Sequence, residues 1–232
     1  MEHVLEEQES FKCTYTPTSP ELQKTLAAPI EDLLISTMGH ASAFLLSCIP
    51  YSSLDKIGYV IAEYHGEKKE AFQIYVSKSS PKIVLGIATE AFRPQFSNDT
   101  TKILFNLIKC HRVIVLDAIP SMSYVFAQYE NNALLCVNNK YCSVPMKSGS
   151  RVSSGTCLGG MIGSVLTKCE IKGIACYACL GVMQEYSVSI DSIKIFSSIS
   201  ELVPFLKILS TSPQTKEVIV AINYKLENHL FS

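Results

Sequence analysis

The run Arg112-Val113-Ile114-Val115-Leu116 constrains this chain more than any other stretch. Its apolar residues are mostly β-branched and favour extended backbone. Successive side chains of a strand point to opposite faces of its sheet, so both faces must be covered here. A strand with one wet face would carry a polar residue at every second place. Leu33-Leu34-Ile35-Ser36, Lys82-Ile83-Val84-Leu85-Gly86-Ile87 and the stretch from Ile171 to Leu180 read as buried strands in the same way.

Helical segments separate these strands. Ala41-Ser42-Ala43-Phe44-Leu45-Leu46 begins a helix after the turn at Met38-Gly39. Ser97 or Asn98 can cap a second helix running to about Lys109, with Ile103, Leu104, Leu107 and Ile108 on one face. A third spans about Thr156 to Lys168, one starts at Ser200, and the last covers about Thr215 to Lys225. Gly58–Tyr64 and Ala71–Ser77 read as a hairpin around the polar His65-Gly66-Glu67-Lys68. The segment 128–154 is loop-like apart from Leu134-Leu135-Cys136-Val137. Strands that alternate with helices predict a single α/β domain, a three-layer α/β/α sandwich around a mixed sheet. We expect a loosely ordered arm over 1–30, with room for one short docked piece, the domain over 31–227, and a flexible tail over 228–232.

Charged residues make up only 18% of the 232 residues, against a usual quarter or so. That fits a large core, and it fits an extended protein interface, whose centre is depleted in charge. Lys and Arg number 20 against 21 acids, so the net charge of −1 gives no bulk attraction to nucleic acid. No stretch of about 18 uncharged apolar residues predicts a membrane span. Nine cysteines, an odd number set mostly in apolar runs, and an acidic start unlike a signal peptide predict reduced thiols and a cytoplasmic and nuclear protein.

Several residues invite a chemical reading. Gly155-Thr156-Cys157-Leu158-Gly159 fits a nucleophile elbow with Cys157 as nucleophile, followed by Asp191 and His229 in the order of a hydrolase. An elbow needs a strand leading into it, and Lys147 to Ser154 is loop-like. The plainer reading is a helix start whose small residues let it approach the sheet. The neighbouring Gly159, Gly160 and Gly163 lack the Gly-Lys-Ser/Thr end of a phosphate loop. Cys176-Tyr177-Ala178-Cys179 has C-x-x-C spacing but falls inside a strand, where positions i and i+3 face opposite ways. Both thiols are then structural. His40, Asp117 and His111 stand beside strand ends, where open α/β sheets often bind ligands. We expect no metal, no cofactor and no catalytic residue. Leu230-Phe231-Ser232 offers an aliphatic group, an aromatic ring and an α-carboxylate that a pocket can receive.

Leu33 to Leu45, with the strand-turn-helix Leu33-Leu34-Ile35-Ser36-Thr37-Met38-Gly39-His40-Ala41, and Ile171 to Leu180 with the stretch to Phe196, carry a resemblance. Over residues 30–232 the chain resembles the family of proteasome assembly chaperone 1. Members of that family end in a hydrophobic residue, an aromatic one (usually Tyr) and any residue; Leu230, Phe231 and Ser232 fill those places, with Phe for Tyr. The resemblance implies a non-enzymatic chaperone that pairs with proteasome assembly chaperone 2. It implies binding to the outer face of the 20S proteasome alpha ring, with the tail inserted between alpha subunits. The alternative is a small cysteine hydrolase or nucleoside-type enzyme on a similar α/β scaffold.

Overall fold

The computed structural model describes residues 12–18, 28–37, 39–78, 83–89, 94–120, 133–152, 157–207 and 212–230, with Glu21, Lys24 and Leu26; the side chains of 94, 95, 229 and 230 are outside it. Among the described residues nine strands form one mixed sheet: β1 (Lys12–Pro17), β2 (Ile30–Ser36), β3 (Leu54–Tyr64), β4 (Glu67–Ser77), β5 (Ile83–Ala88), β6 (Cys110–Pro120), β7 (Leu134–Asn138), β8 (Ser150–Arg151) and β9 (Ala175–Met183). Their order across the sheet is β1-β3-β4-β5-β2-β6-β9-β7-β8. The centre, β5-β2-β6-β9, is parallel. An antiparallel wing, β1-β3-β4, joins β5 on one side, and β7 joins β9 antiparallel on the other.

Among the described residues five helices cover the sheet: α1 (His40–Cys48), α2 (Pro94–Leu107), α3 (Gly160–Lys172), α4 (Ile190–Lys194) and α5 (Pro213–Leu230). Leu33, Ile35, Val113, Val115, Cys176 and Ala178 face α2 and α3 in one core. Leu34, Ile114, Leu116, Tyr177 and Cys179 face α1, α4 and α5 in the other. The expected three-layer sandwich is therefore present, and the alternation along β2, β6 and β9 builds it. Cys176 and Cys179 do lie on opposite faces, both buried.

Some boundaries differ from those read in the sequence. Lys12–Pro17, inside the expected arm, is an edge strand paired to β3, with Tyr15 opposite Val60. It is also tied to α2, since the Cys13 thiol and the Thr100 hydroxyl lie 3.7 Å apart. Helix α3 runs to Lys172, so Ile171 is an exposed helical residue and not the start of a strand. Gly173 ends that helix in the left-handed region at φ 69°, and the Ile174 amide donates back to the Cys169 carbonyl. No helix starts at Ser200; Ile195–Glu201 is a 3₁₀ turn instead. Pro204 has no amide to continue a helix, and its ring would meet the carbonyl of Ser200. Helix α5 continues to Leu230 because Leu226-Glu227-Asn228-His229 holds neither Gly nor Pro.

Candidate functional site

The parallel strands β2, β6 and β9 deliver their C-terminal ends to one edge of the molecule. A crevice of about 430 Å³ opens there. Gly39 and His40 line it from the start of α1, Ala118 to Pro120 from β6, Met183 from the end of β9, Gln184 to Tyr186 from the loop after it, and Leu226 from α5. This is the edge at which open α/β sheets characteristically receive ligands. Its lining is mostly apolar.

The sequence dictates the backbone here closely. Gly39 takes φ 93° and ψ −132°, a conformation side chains disfavour, and its carbonyl accepts from the Ala43 amide to start α1. Helix α1 is buried along nearly its whole length, so it needs small residues, and Ala41, Ser42 and Ala43 supply them. The Ser42 hydroxyl donates to the Thr37 carbonyl at 2.7 Å and meets the Ser36 hydroxyl at 3.0 Å, fixing the turn on the strand it leaves.

Two of the three strand-end residues singled out in the sequence meet at this edge. His40 places Nε2 3.2 Å from the Ser187 carbonyl. A carbonyl only accepts, so the ring hydrogen sits on Nε2. Burial holds the imidazole below its usual value, against the pull of that carbonyl, and His40 is neutral at pH 7. Asp117 accepts from the Thr37 hydroxyl and, at 2.8 Å, from the Ala118 amide. Burial pushes its carboxyl up to about 6 in spite of both donors. His111 stands exposed at the start of β6, the opposite end of the sheet.

The two described members of the hydrolase set, Cys157 and Asp191, are not brought together. Cys157 is exposed and directly precedes Leu158, which packs on the α2–α3 face. Asp191 belongs to α4 on the other face, where its carboxylate pairs with Lys194 at 2.8 Å and is 90% exposed. The two-residue β8 ends at Arg151, six residues before Cys157. Gly155, Thr156 and the side chain of His229 lie outside the described residues. Among the described residues no cluster of three His, Cys, Asp or Glu is placed to hold a metal ion. No helix there is long and apolar enough to cross a membrane.

Leu230 is the last residue of α5, and Phe231 and Ser232, with the Leu230 side chain, lie outside the described residues. What is described is how α5 reaches the edge. Asn223 holds the β9–α4 loop with two hydrogen bonds: the Val188 amide donates to Oδ1 at 2.7 Å and Nδ2 donates to the Val188 carbonyl at 2.9 Å. Lys225 donates to the Thr89 carbonyl at 3.4 Å. Leu226 then lines the crevice, and Leu230 follows one turn later. Asn223 carried no mark in the sequence, because an Asn on a helix is ordinary until its loop partner is known.

No protein-family model matches the chain, and no curated protein matches it by sequence. Solved structures do match its α/β fold. PbaA of Pyrococcus furiosus, an archaeal homolog of proteasome-assembly chaperone, is similar over 95% of this chain and 100% of its own, with a TM-score of 0.58 at 14% identity. PbaB of the same organism, an archaeal proteasome activator, is similar over 95% and 97%, with a TM-score of 0.61 at 12% identity. A protein of unknown function from Thermoplasma acidophilum gives 0.62 at 14% identity over 85% of each chain. The chain shares the fold of these proteins.

Proposed function

We propose that this protein is a proteasome assembly chaperone subunit that forms a heterodimer with proteasome assembly chaperone 2. It binds the outer face of the 20S alpha ring through Leu230, Phe231 and Ser232 and promotes ring assembly. The fold shared with PbaA and PbaB over nearly the whole chain supports this reading. The observation that supports it is the placement of α5: it is anchored through Asn223, lines the crevice with Leu226 and ends at Leu230 one turn later. A rigid helix that presents a short apolar segment loses less entropy on docking than a free peptide. The Leu and Phe side chains bury apolar area in a pocket between subunits, and a carboxylate there meets a Lys or backbone amides.

The test is affinity purification of the tagged full chain from its own cells, beside a version lacking Leu230 to Ser232. The full chain recovers a second α/β chaperone and alpha subunits with few mature beta subunits. The shortened chain keeps the second chaperone and loses the alpha subunits. Recovery of the full chain alone would overturn the assembly role. Unchanged recovery of alpha subunits by the shortened chain would overturn the tail mechanism.

A further inference from the structure

Strand β9 carries a thiol pair on each face, and the two pairs differ in one respect. On the α2–α3 face Cys176 contacts Cys169 of α3, and both are fully buried. On the other face Cys179 is fully buried, but its partner Cys136, on β7, is only half-buried and reaches solvent. Cys136 and Cys179 sit directly opposite each other in the antiparallel β7–β9 pairing. The Val182 amide donates to the Ala133 carbonyl and the Asn139 amide to the Cys176 carbonyl. These bonds make 133/182 and 139/176 hydrogen-bonded pairs, so by alternation 136/179 is a non-hydrogen-bonded pair. In such a pair the Cα atoms lie about 4.5 Å apart and the side chains are closest. A disulfide accepts Cα separations of about 4.4–6.8 Å.

The surroundings hold the thiols in place. Met146 sets its sulfur 3.7 Å from the Cys136 sulfur and 3.8 Å from the Cys179 sulfur. Its loop is fastened from both ends. Glu201 accepts from the Lys147 amide at 3.1 Å and the Ser148 amide at 3.4 Å, and the Tyr177 hydroxyl donates to the Val144 carbonyl. Gly149 leaves room for Cys136: a Cβ there would stand 2.8 Å from its sulfur. Hydrogen bonding with Cys179 also lowers the pKa of the Cys136 thiol, which favours its nucleophilic form.

We infer that Cys136 and Cys179 are a modification site, a dithiol that hydrogen peroxide converts to a cross-strand disulfide. Cys136, reachable from solvent, is the attacking thiol, and Cys179 behind it is the resolving one. The Cys136 thiolate attacks one peroxide oxygen; an S–O bond forms, the O–O bond breaks, and hydroxide leaves to become water. Sulfur loses two electrons and peroxide gains them. Cys179 then gives up its proton as its sulfur attacks the Cys136 sulfur; the S–S bond forms, the S–O bond breaks, and a second water departs. Two thiols and one peroxide yield one disulfide and two waters. In a reducing compartment such a bond is transient and sensing, not structural.

The test is brief exposure of the reduced full chain to hydrogen peroxide, followed by non-reducing peptide mapping by mass spectrometry. The expected product is a single cross-link between the Cys136 and Cys179 peptides, reversed by dithiothreitol. In Cys179→Ser the cross-link is lost and Cys136 becomes labelled by dimedone as a sulfenic acid. In Cys136→Ser both cross-link and label are lost, and a circular-dichroism melt matched to the unmutated chain shows that the fold persists. If that variant fails to fold, the Cys179→Ser label alone decides. Linkage of Cys169 to Cys176, oxidation confined to Met146, or no cross-link in the full chain would each overturn the inference.

Discussion

Arg112 grips Asp32 across the β2–β6 pairing with two parallel bonds, Nε to Oδ1 at 2.6 Å and Nη2 to Oδ2 at 2.9 Å. The Asp32 side chain is 4% exposed and that of Arg112 26%. The pair closes the N-terminal end of the central parallel strands, opposite the crevice. A fork-on-carboxylate geometry fixes register as well as charge. Arg112→Met leaves the carboxylate buried without its partner and is expected to cost about 3–5 kcal/mol, read from urea unfolding. Combining it with Asp32→Asn recovers part of that loss. A loss under about 1 kcal/mol for the single variant would show that the pair contributes only as an exposed one does.

The Asp117 carboxyl gives the fold a pH signature. Its folded value is about 6, above the roughly 3.9 of an unfolded aspartate. A raised folded value means that the native state binds the proton more tightly. The associated stability is fully present below about pH 4 and is lost as pH rises through about 6, a span of about 2–3 kcal/mol. Asp117→Asn cannot ionise and keeps an acceptor for Thr37 and Ala118. The difference in unfolding free energy between it and the unmutated chain is expected to swing in its favour as pH increases over that window. A difference that stays constant would refute the assignment.

Asn223 joins α5 to the loop before α4 through both polar atoms of its amide. Asn223→Ala leaves the Val188 amide and carbonyl without that partner, at an expected cost of about 1–3 kcal/mol. Because the clamp lies two turns before Leu230, hydrogen exchange is expected to speed up in residues 223–230 ahead of the rest of α5. Uniform exchange along the helix would show that the clamp does not anchor its end.

Phe231 lacks the hydroxyl that the resemblance assigns to this place. On the proposed reading, Phe231→Tyr adds one hydrogen bond in the alpha-ring pocket and tightens binding by about 1 kcal/mol, roughly five-fold. Phe231→Ala removes the ring and is expected to weaken binding by at least about 2 kcal/mol. Surface-immobilised alpha rings would report both; equal affinity for all three chains would mean that residue 231 is outside the contact.

Gly173 shows how far local chemistry reaches. Its left-handed φ of 69° ends α3, and Gly173→Ala is expected to cost about 1–2 kcal/mol in a thermal or urea melt. The nearest atoms to an added Cβ, on Tyr141, lie at an ordinary 3.8 Å, so the loss is conformational and not a clash. An unchanged melt would mean that the cap relaxes freely.

The central strands were legible in the sequence because doubly covered strands must be apolar at every position, and Val113 to Leu116 meet that demand residue by residue. The same alternation places Cys176 and Cys179 on opposite faces, and a redox or zinc site of C-x-x-C spacing needs both thiols on one side. Local rules misplaced the end of α5 and left the strand at Lys12–Pro17 as no more than room for a short docked piece. An edge strand is decided by whether a partner edge, here that of β3, is open to it. Asp191 went to the face opposite the one on which Leu158, next to Cys157, packs for a related reason, since chain order says nothing about which face of a sheet a helix covers. Residues far apart in sequence acquired their roles only in the folded chain. Asn223 found Val188, Arg112 found Asp32, and Cys136 found Cys179, because each contact rests on strand order and helix placement. Periodicity fixes which side chains are hidden, a property of a few neighbouring residues. Which hidden or half-hidden groups meet depends on the closure of long loops, and only the tertiary structure settles that.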